Sequence, residues 1–405
     1  MSVPQCIVRH FEAAGIRLNG SRPCDPQVHD PGLYGDLIRR GSLALGEGYV
    51  QGRWDCDQLD DLFTRLLQQE GSDRAVHGLD ATAPIRRRVQ AFGDRLLNRQ
   101  SPQRAHQVGR QHYDVDPRVY AAMLDARRIY SCGYWQQAQT LEEAQEHKLR
   151  LICEKLELSA GQRLLDLGCG WGGLAVFAAQ HYGVSVLGVT VSEQQAAACR
   201  QQALGLPVDV HLADYRSPLI QNLGPFDRVV SVGMFEHVGR HNHRTLFSTL
   251  DAVLQDDGLC LLQTIGSATT CDWFDPWIDT YIFPNGRLPS AMQLCQGWEP
   301  WFVLEDWDNF GSDYDRTLMA WHTNFERAWP DLSHHLSPEF QRLWRYYLLS
   351  CAGLFRSRRG QLWQIVLSKR TSNRTYRSIR PRSCALAGGA RQNHGPSAAG
   401  AKATI

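Results

Sequence analysis

The sequence has no apolar run approaching the roughly 18 to 20 residues that a membrane-spanning helix needs, and its first residues, MSVPQCIVRHFEAAG, hold no long apolar stretch. Any contact with lipid is therefore expected from outside the bilayer. Net charge is nearly absent: 43 Lys and Arg stand against 42 Asp and Glu, leaving +1. No overall field steers the chain towards nucleic acid or an anionic surface, and no nucleic-acid partner is expected. The 12 cysteines include no CxxC pair and no metal-type Cys/His spacing. That argues against a disulfide framework or a metal site and for reduced thiols in a cytoplasmic protein. Acidic residues are missing after Arg370, where residues 371–405 are rich in Ser, Ala, Gly and Arg; a disordered tail is expected there. No internal repeat is visible.

What is present is an ordinary globular composition, 43% hydrophobic over 405 residues, enough for two domains or one large domain with an extension. Residues 1–105 carry the amphipathic patterns IVRHFEAAG and LDDLFTRLLQQ around the Gly-rich GSLALGEGYVQGRW, which predicts a small, mainly helical N-terminal domain. A basic, irregular stretch from IRRRV to SPQRAHQVGR, ending near Gln111, reads as the linker. From Ala144 the text alternates: helical AQEHKLRLICEKLEL, apolar RLLDLG, a Gly-rich turn, AVFAAQHYG, VSVLGVT, EQQAAACRQQALG, VDVHLAD. Strand and helix in that rhythm mean an α/β unit, a parallel sheet wound by helices over residues 106–370. Further strands are expected at Asp227–Gly233, Gly258–Gly266 and Gln361–Lys369, and the aromatic stretch from Trp273 to Tyr314 reads as an insertion over the mouth of the sheet.

The segment Leu164 to Gly173, LLDLGCGWGG, follows an apolar strand and precedes a helix. Its glycines let the backbone turn sharply and approach a ligand. The string satisfies both the GxGxxG dinucleotide pattern and a DxGxGxG variant, so alone it does not separate a nicotinamide cofactor from S-adenosylmethionine. Its surroundings favour the second. Asp166 stands two residues before the first glycine, where an acid can reach the methionine end of the ligand. The ribose-binding acid of a hydride-transfer enzyme, due roughly 20 residues on, is missing from GVTVSEQQ, where Thr190 closes the strand and Glu193 is the first acid.

Seven strings in order, QHYDVDPRVYAAMLD, IYSCGYW, LLDLGCGWGGLA, GVTVSEQQ, ADYR, SVGMFEHVG and YDRTLMAWHTNF, resemble the cyclopropane-fatty-acid-phospholipid synthases and, in the core, the mycolic acid cyclopropane synthases. The resemblance runs from about residue 30 to about residue 370. It implies a class I S-adenosylmethionine-dependent methyltransferase fold, a seven-stranded mostly parallel sheet with helices on both faces. It also implies methyl transfer to a cis double bond of a phospholipid acyl chain, then proton loss and closure to a cyclopropane. Carried over by position, it implies cofactor contacts from Tyr130 and Ser131, from Gly168 and Gly170, from Thr190 and Gln195, and from Asp214 and Tyr215 beside the adenine, joining Asp166.

In that family a bound bicarbonate takes the proton. The resemblance implies that it lies near the backbone of Cys132, with Glu236 of FEHVG, Ile265 of the TIG string, Tyr314 and a histidine after the fifth strand. Here the family's LHTIGS is LLQTIGS, with Gln263 at the histidine position. A glutamine amide can donate a hydrogen bond but cannot carry charge or relay a proton. Three outcomes follow: bicarbonate binds with Gln263 as neutral donor, which is favoured; the ion is held more weakly; or the acyl cation resolves to a methyl-branched product. The alternatives to cyclopropane formation are thus a methyltransferase that adds a branch to a carbon of the acyl group and, in another class, a non-catalytic lipid-binding protein.

His237 is expected to be structural. Of the aromatics from Trp273 to Phe302, including Trp277, Trp298 and Trp301, a minority is expected to line an acyl channel, chiefly Tyr281 and Phe283. The Arg86, Arg87, Arg88 run reads as a solvated face before it reads as a headgroup site. The resemblance further implies an unsaturated phospholipid in the membrane as partner, peripheral contact at the inner face of the membrane, and a homodimer.

Overall fold

The computed structural model describes residues 3–69, 115–271 and 274–379. The Arg86–Arg88 run, the linker near Gln111, Trp273 and residues 380–405 lie outside them.

The first third of the described chain is helical: α1 (Gln5–Ala13), α2 (Gly32–Arg40), α3 (Ser42–Val50), α4 (Leu59–Gln68) and α5 (Pro117–Met123), with a two-stranded ribbon of β1 (Gln27–Val28) and β2 (Trp54–Asp55). Helix α6 (Leu141–Lys155) begins in a capping box: Thr140 Oγ1 accepts from Glu143 N and Glu143 Oε2 accepts from Thr140 N. Strand and helix then alternate through β3 (Arg163–Leu167), α7 (Gly173–Tyr182), β4 (Ser185–Thr190), α8 (Glu193–Gln202), β5 (Val208–Leu212), α9 (Pro218–Leu223), β6 (Phe226–Val232), α10 (His243–Val253) and β7 (Leu254–Ser267). After α11 (Pro276–Tyr281) and α12 (Ala291–Trp298) come β8 (Phe302–Asn309), α13 (Ser312–Leu332), α14 (Pro338–Arg356) and β9 (Gly360–Lys369).

Seven strands form one sheet in the order β5-β4-β3-β6-β7-β9-β8. The pairs from β5 to β7 are parallel, and β9 runs against both of its neighbours. Near-continuous apolar strands follow from burial on both faces. Leu165 and Leu167 of β3 pack with Phe247 and Leu250 of α10, whereas Leu164 packs with Ile152 of α6 and Ala175 of α7. The order reverses between β3 and β6, which puts the binding crevice at the C-terminal ends of these strands.

Three expectations change. Among the described residues the N-terminal helices have no separate core: Phe11, Leu37, Leu62 and Phe63 belong to one cluster with Trp321, Phe325, Trp344 and Tyr346 of α13 and α14. Helix α14 lies so close to α4 that a Cβ on Gly353 would sit 2.6 Å from the Phe63 Cβ, and Arg356 clamps Asp60 at 2.6 Å and Asp315 at 2.8 Å. The stretch from Trp273 to Tyr314 is not wholly an insertion, because Phe302–Asn309 is the edge strand β8. Finally, residues 371–379 do not belong to a disordered tail. Ser378 Oγ donates to Asp306 Oδ1 at 2.7 Å, Arg374 pairs with Glu157, and Tyr376 packs against the α6–β3 side of the sheet. Asp306 of β8 and Glu157 after α6 receive this acid-free segment.

Candidate active site

The turn after β3 carries Gly168, Gly170 and Gly172 at φ of 83°, 54° and 92°, a region open to glycine and costly for other residues. At Gly172 a Cβ would also meet Cys199 Sγ of α8 at 2.3 Å. The loop therefore lies flat against α8 and frees the crevice above it. That crevice holds a 100 Å³ cavity whose lining includes Tyr130, Ser131, Lys148, Asp166, Gly168 and Gln195.

Asp166 and Lys148 set its electrostatics. The Asp166 carboxyl is buried, which pushes it up to about 7 although the Lys148 ammonium opposes the shift. Among the described residues its Oδ2 has no hydrogen-bond partner. Lys148 is equally buried and drawn down to about 8, with Asp125 and Asp166 resisting, and its Nζ donates to Ser131 Oγ at 2.8 Å. A buried carboxylate oxygen without a donor is costly, so the cavity suits a ligand bringing an ammonium or hydroxyl to Asp166 and a carboxylate to Lys148.

The positions read from the sequence separate here. Tyr130, Ser131, Asp166, Gly168, Gly170 and Gln195 line the cavity. Thr190 stands behind Gln195, donating from Oγ1 to Gln195 Oε1 at 2.8 Å. Asp214 and Tyr215 are outside the lining: the Asp214 carboxylate accepts from Arg216 Nε at 2.7 Å and Nη2 at 2.8 Å, and the Tyr215 ring is buried. Trp171 of the glycine turn and Lys148 also line the cavity, and no sequence motif pointed to Lys148. Lys148 left a signal, since it lies one turn after Ala144 on the buried face of α6.

Beyond β6 the chain turns through Phe235–His237, a single 3₁₀ turn. Glu236 Oε1 accepts from Ile265 N at 2.6 Å, the Thr264 side chain also hydrogen-bonds the carboxyl, and Oε2 has no geometric hydrogen-bond partner among the described residues. Burial raises this carboxyl to about 7, against the pull of the Ile265 amide. Near neutral pH it therefore holds a proton part of the time. Tyr314 lies close enough for Cys132 and Glu236 to add to the burial that keeps its hydroxyl neutral, and its ring stacks on Phe355 at 4.3 Å. Cys132, Ile265 and Tyr314 share one small apolar cluster with Leu362. Cys132 is a buried neutral thiol, its Sγ donating to Gly133 O at 3.1 Å. Glu236, Ile265, Cys132 and Tyr314 thus converge. Gln263, on the same face of β7 as Ile265, is buried with its Oε1 accepting from Gln364 Nε2 at 2.9 Å. His237 is drawn down to about 4 by burial and is neutral near pH 7.

Ile265 also forms part of the wall of a 290 Å³ cavity, within reach of the small-ligand range of about 300–1,000 Å³, whose walls include Phe63, Phe274, Trp277, Phe283, Tyr346 and Phe355. Phe283 is where the sequence suggested; Tyr281 is not. Its ring is 43% exposed and its hydroxyl donates to Glu47 Oε1 at 3.0 Å. Trp298 and Phe302 pack with Phe247 in the sheet core.

A sheet with a single reversed strand and a glycine turn bearing a buried acid at the end of β3 define an S-adenosylmethionine-dependent methyltransferase. The comparisons narrow the class. Residues 100–365 match the mycolic acid cyclopropane synthetase family. The protein is 48% identical over 360 residues to the cyclopropane-fatty-acyl-phospholipid synthase of Escherichia coli K12, covering 89% of this sequence and 92% of that one. Two solved structures align over 65% of this sequence and 98% of their own: the cyclopropane synthase MmaA2 of Mycobacterium tuberculosis, 32% identical with TM-score 0.61, and the mycolic acid cyclopropane synthase CmaA1 complexed with SAH and CTAB, 30% identical with TM-score 0.60. The protein belongs to the mycolic acid cyclopropane synthetase family.

Proposed function

We propose that this protein cyclopropanates the cis double bond of a phospholipid acyl group, with bicarbonate as the proton acceptor. The observation that carries the reading is the position of Ile265: its amide holds Glu236 while its side chain belongs both to the Cys132–Tyr314 cluster and to the wall of the apolar cavity. One residue thereby joins the base pocket to the lipid pocket.

S-adenosylmethionine, when bound, would supply an electrophilic methyl group to one carbon of the double bond, and the neighbouring carbon would carry positive charge until a proton leaves. The protein's part is to hold and to shield. Asp166 and Lys148 offer opposite charges to the two ends of an amino acid moiety. Phe274, Trp277 and Phe283 line the apolar cavity, and aromatic rings can stabilise a cation there. The base pocket fits a small anion: a part-protonated Glu236, whose Oε2 is unpartnered among the described residues, and a Tyr314 hydroxyl kept neutral can donate, and by the family resemblance the Gln263 amide, two residues before Ile265 on the same face of β7, donates as well. A bicarbonate ion held there supplies the proton acceptor. A second reading, formation of a methyl-branched product, is favoured only by the uncharged amide at Gln263.

Function at the inner face of the membrane as a cytoplasmic homodimer is part of the proposal. Exposed Tyr281 ends the helix α11, whose Trp277 and Ile278 line the apolar cavity, and this supports lipid entry from that side. No described helix is long and apolar enough to cross a membrane. The dimer rests on the family resemblance.

The test is incubation with S-adenosylmethionine and unsaturated phospholipid vesicles. Acyl groups heavier by one CH2 with no double bond left to derivatise support cyclopropanation. Heavier acyl groups that keep the double bond establish the branched product, and unchanged ones refute both. Vesicle flotation and light scattering test membrane contact and the dimer.

A further inference from the structure

One row of polar side chains crosses the sheet beneath the base pocket. Gln263 of β7, Gln364 of β9 and Asp308 of β8 are direct cross-strand partners, and Lys155 at the end of α6 reaches the row from above. Its side chain is fully buried. Lys155 Nζ donates to Asp308 Oδ2 at 3.0 Å and to Gln364 Oε1 at 3.0 Å, and lies 3.4 Å from Asp306. Gln364 Nε2 in turn donates to Gln263 Oε1 at 2.9 Å.

The row has a direction that chemistry enforces. An ammonium has donors and no acceptor, so Gln364 must turn its oxygen to Lys155. Its amide group is then all that remains for Gln263, which must turn its own oxygen to Gln364. The Gln263 nitrogen is left facing away from Lys155. Reversing either amide would set two NH2 groups, or two oxygens, against each other in a buried site. Two residues further along the same face of β7 is Ile265, whose side chain packs with Cys132 and Tyr314.

We propose that Lys155 and Gln364 are positioning residues that lock the Gln263 amide with its nitrogen towards the base pocket, making a neutral side chain a fixed hydrogen-bond donor to the anion. This rests on the base-pocket reading given above. An unconstrained amide would present oxygen or nitrogen with similar ease, and an oxygen facing an anion repels it. The row therefore replaces charge by orientation, a function that a histidine at position 263 would fulfil by protonation.

The sharpest perturbation keeps shape and reverses polarity. In Gln364→Glu the carboxylate still accepts from Lys155 but has no proton for Gln263, so the Gln263 amide rotates to donate to the new carboxylate and aims its oxygen at the pocket. Binding is read directly by titrating 13C-bicarbonate into the protein saturated with S-adenosylhomocysteine, followed by carbon NMR, beside calorimetry of S-adenosylhomocysteine itself. The expected result is a loss of bicarbonate affinity of about tenfold or more, the worth of a hydrogen bond to a charged group, with S-adenosylhomocysteine affinity unchanged. Adding Gln263→His to Gln364→Glu should restore bicarbonate binding, because an imidazolium beside the new carboxylate donates from both nitrogens. Wild-type bicarbonate affinity in Gln364→Glu overturns the inference. If that variant does not fold, the charge-balanced double variant decides, and a folded double variant that binds no bicarbonate overturns it equally. A wild-type protein that binds no bicarbonate refutes the base-pocket reading itself and takes the inference with it, so the two failures are told apart.

Discussion

Replacing Glu236 by glutamine separates stability from chemistry. The buried Glu236 carboxyl titrates near 7 instead of 4.5, so its ionised form carries a penalty of about 3 kcal/mol at 1.36 kcal/mol per pH unit. Below pH 4.5 the carboxyl is protonated in both the folded and unfolded states and costs nothing. As pH rises from 4.5 to 7 the unfolded state releases the proton while the folded state keeps it, so the folded state loses stability across that window and no further above it. The substituted glutamine retains an oxygen for the Ile265 amide but has nothing to titrate. Urea unfolding of both proteins at pH 5 and pH 8 should show the variant gaining on the wild type by about 2–3 kcal/mol between the two pH values. Turnover of acyl substrate should meanwhile fall by about 100-fold or more, the scale of a lost acid–base group, with S-adenosylmethionine binding by calorimetry close to wild type. A stability gap that does not change with pH would refute the link between burial and the raised titration. Unchanged turnover would remove Glu236 from the base pocket.

Asp166→Asn should weaken S-adenosylmethionine binding by about tenfold or more. In the wild type that affinity should decline as pH falls below about 7, where the Asp166 carboxyl takes up its proton, and calorimetry across pH should find no such decline in the variant. Gly172→Ala places a methyl 2.3 Å from Cys199 Sγ on a backbone at φ 92°. It should lower both the melting temperature and cofactor affinity, whereas the control Gly15→Ser, strained at φ 67° but in open space, should lower melting alone and leave cofactor affinity unchanged. Ending the protein after Arg370 removes the Ser378–Asp306 bond and the Tyr376 packing. It should lower the melting temperature, while ending it after Ile379 keeps those contacts and should not.

The sheet was legible because strands buried on both faces are dominated by apolar residues, as the runs Leu164–Leu165, Val186–Leu187 and Val229–Val230 show in RLLDL, SVLGVT and FDRVVSV. The glycine turn was legible because only glycine tolerates its backbone. Strand β8 was not, since FVLEDWDN reads as a polar loop until Asp306 and Asp308 are seen to face Lys155. The N-terminal stripes announced that a face is buried but could not name what buries it. The partners of Lys148 and of Gln263 were out of reach for the same reason: a buried polar residue makes sense only beside its partner, and Lys148 lies 17 positions from Ser131 while Gln263 lies 101 from Gln364. Phe283 and Tyr281 have the same aromatic character in sequence, and the path of one short helix and its exit sends one inward and the other to solvent.

The apolar cavity takes Phe63 from the start of the sequence and Tyr346 and Phe355 from near its end. On the ribosome the helices bearing Ser42 and Phe63 emerge long before the helix that closes over them, so their apolar faces wait uncovered while β3 to β8 are made. Lipid access and folding thus depend on the same late event. The pocket that admits an acyl group exists only once α14 has returned to α3 and α4, and a nascent polypeptide stalled before Pro338 would carry a complete glycine turn with no place for a substrate.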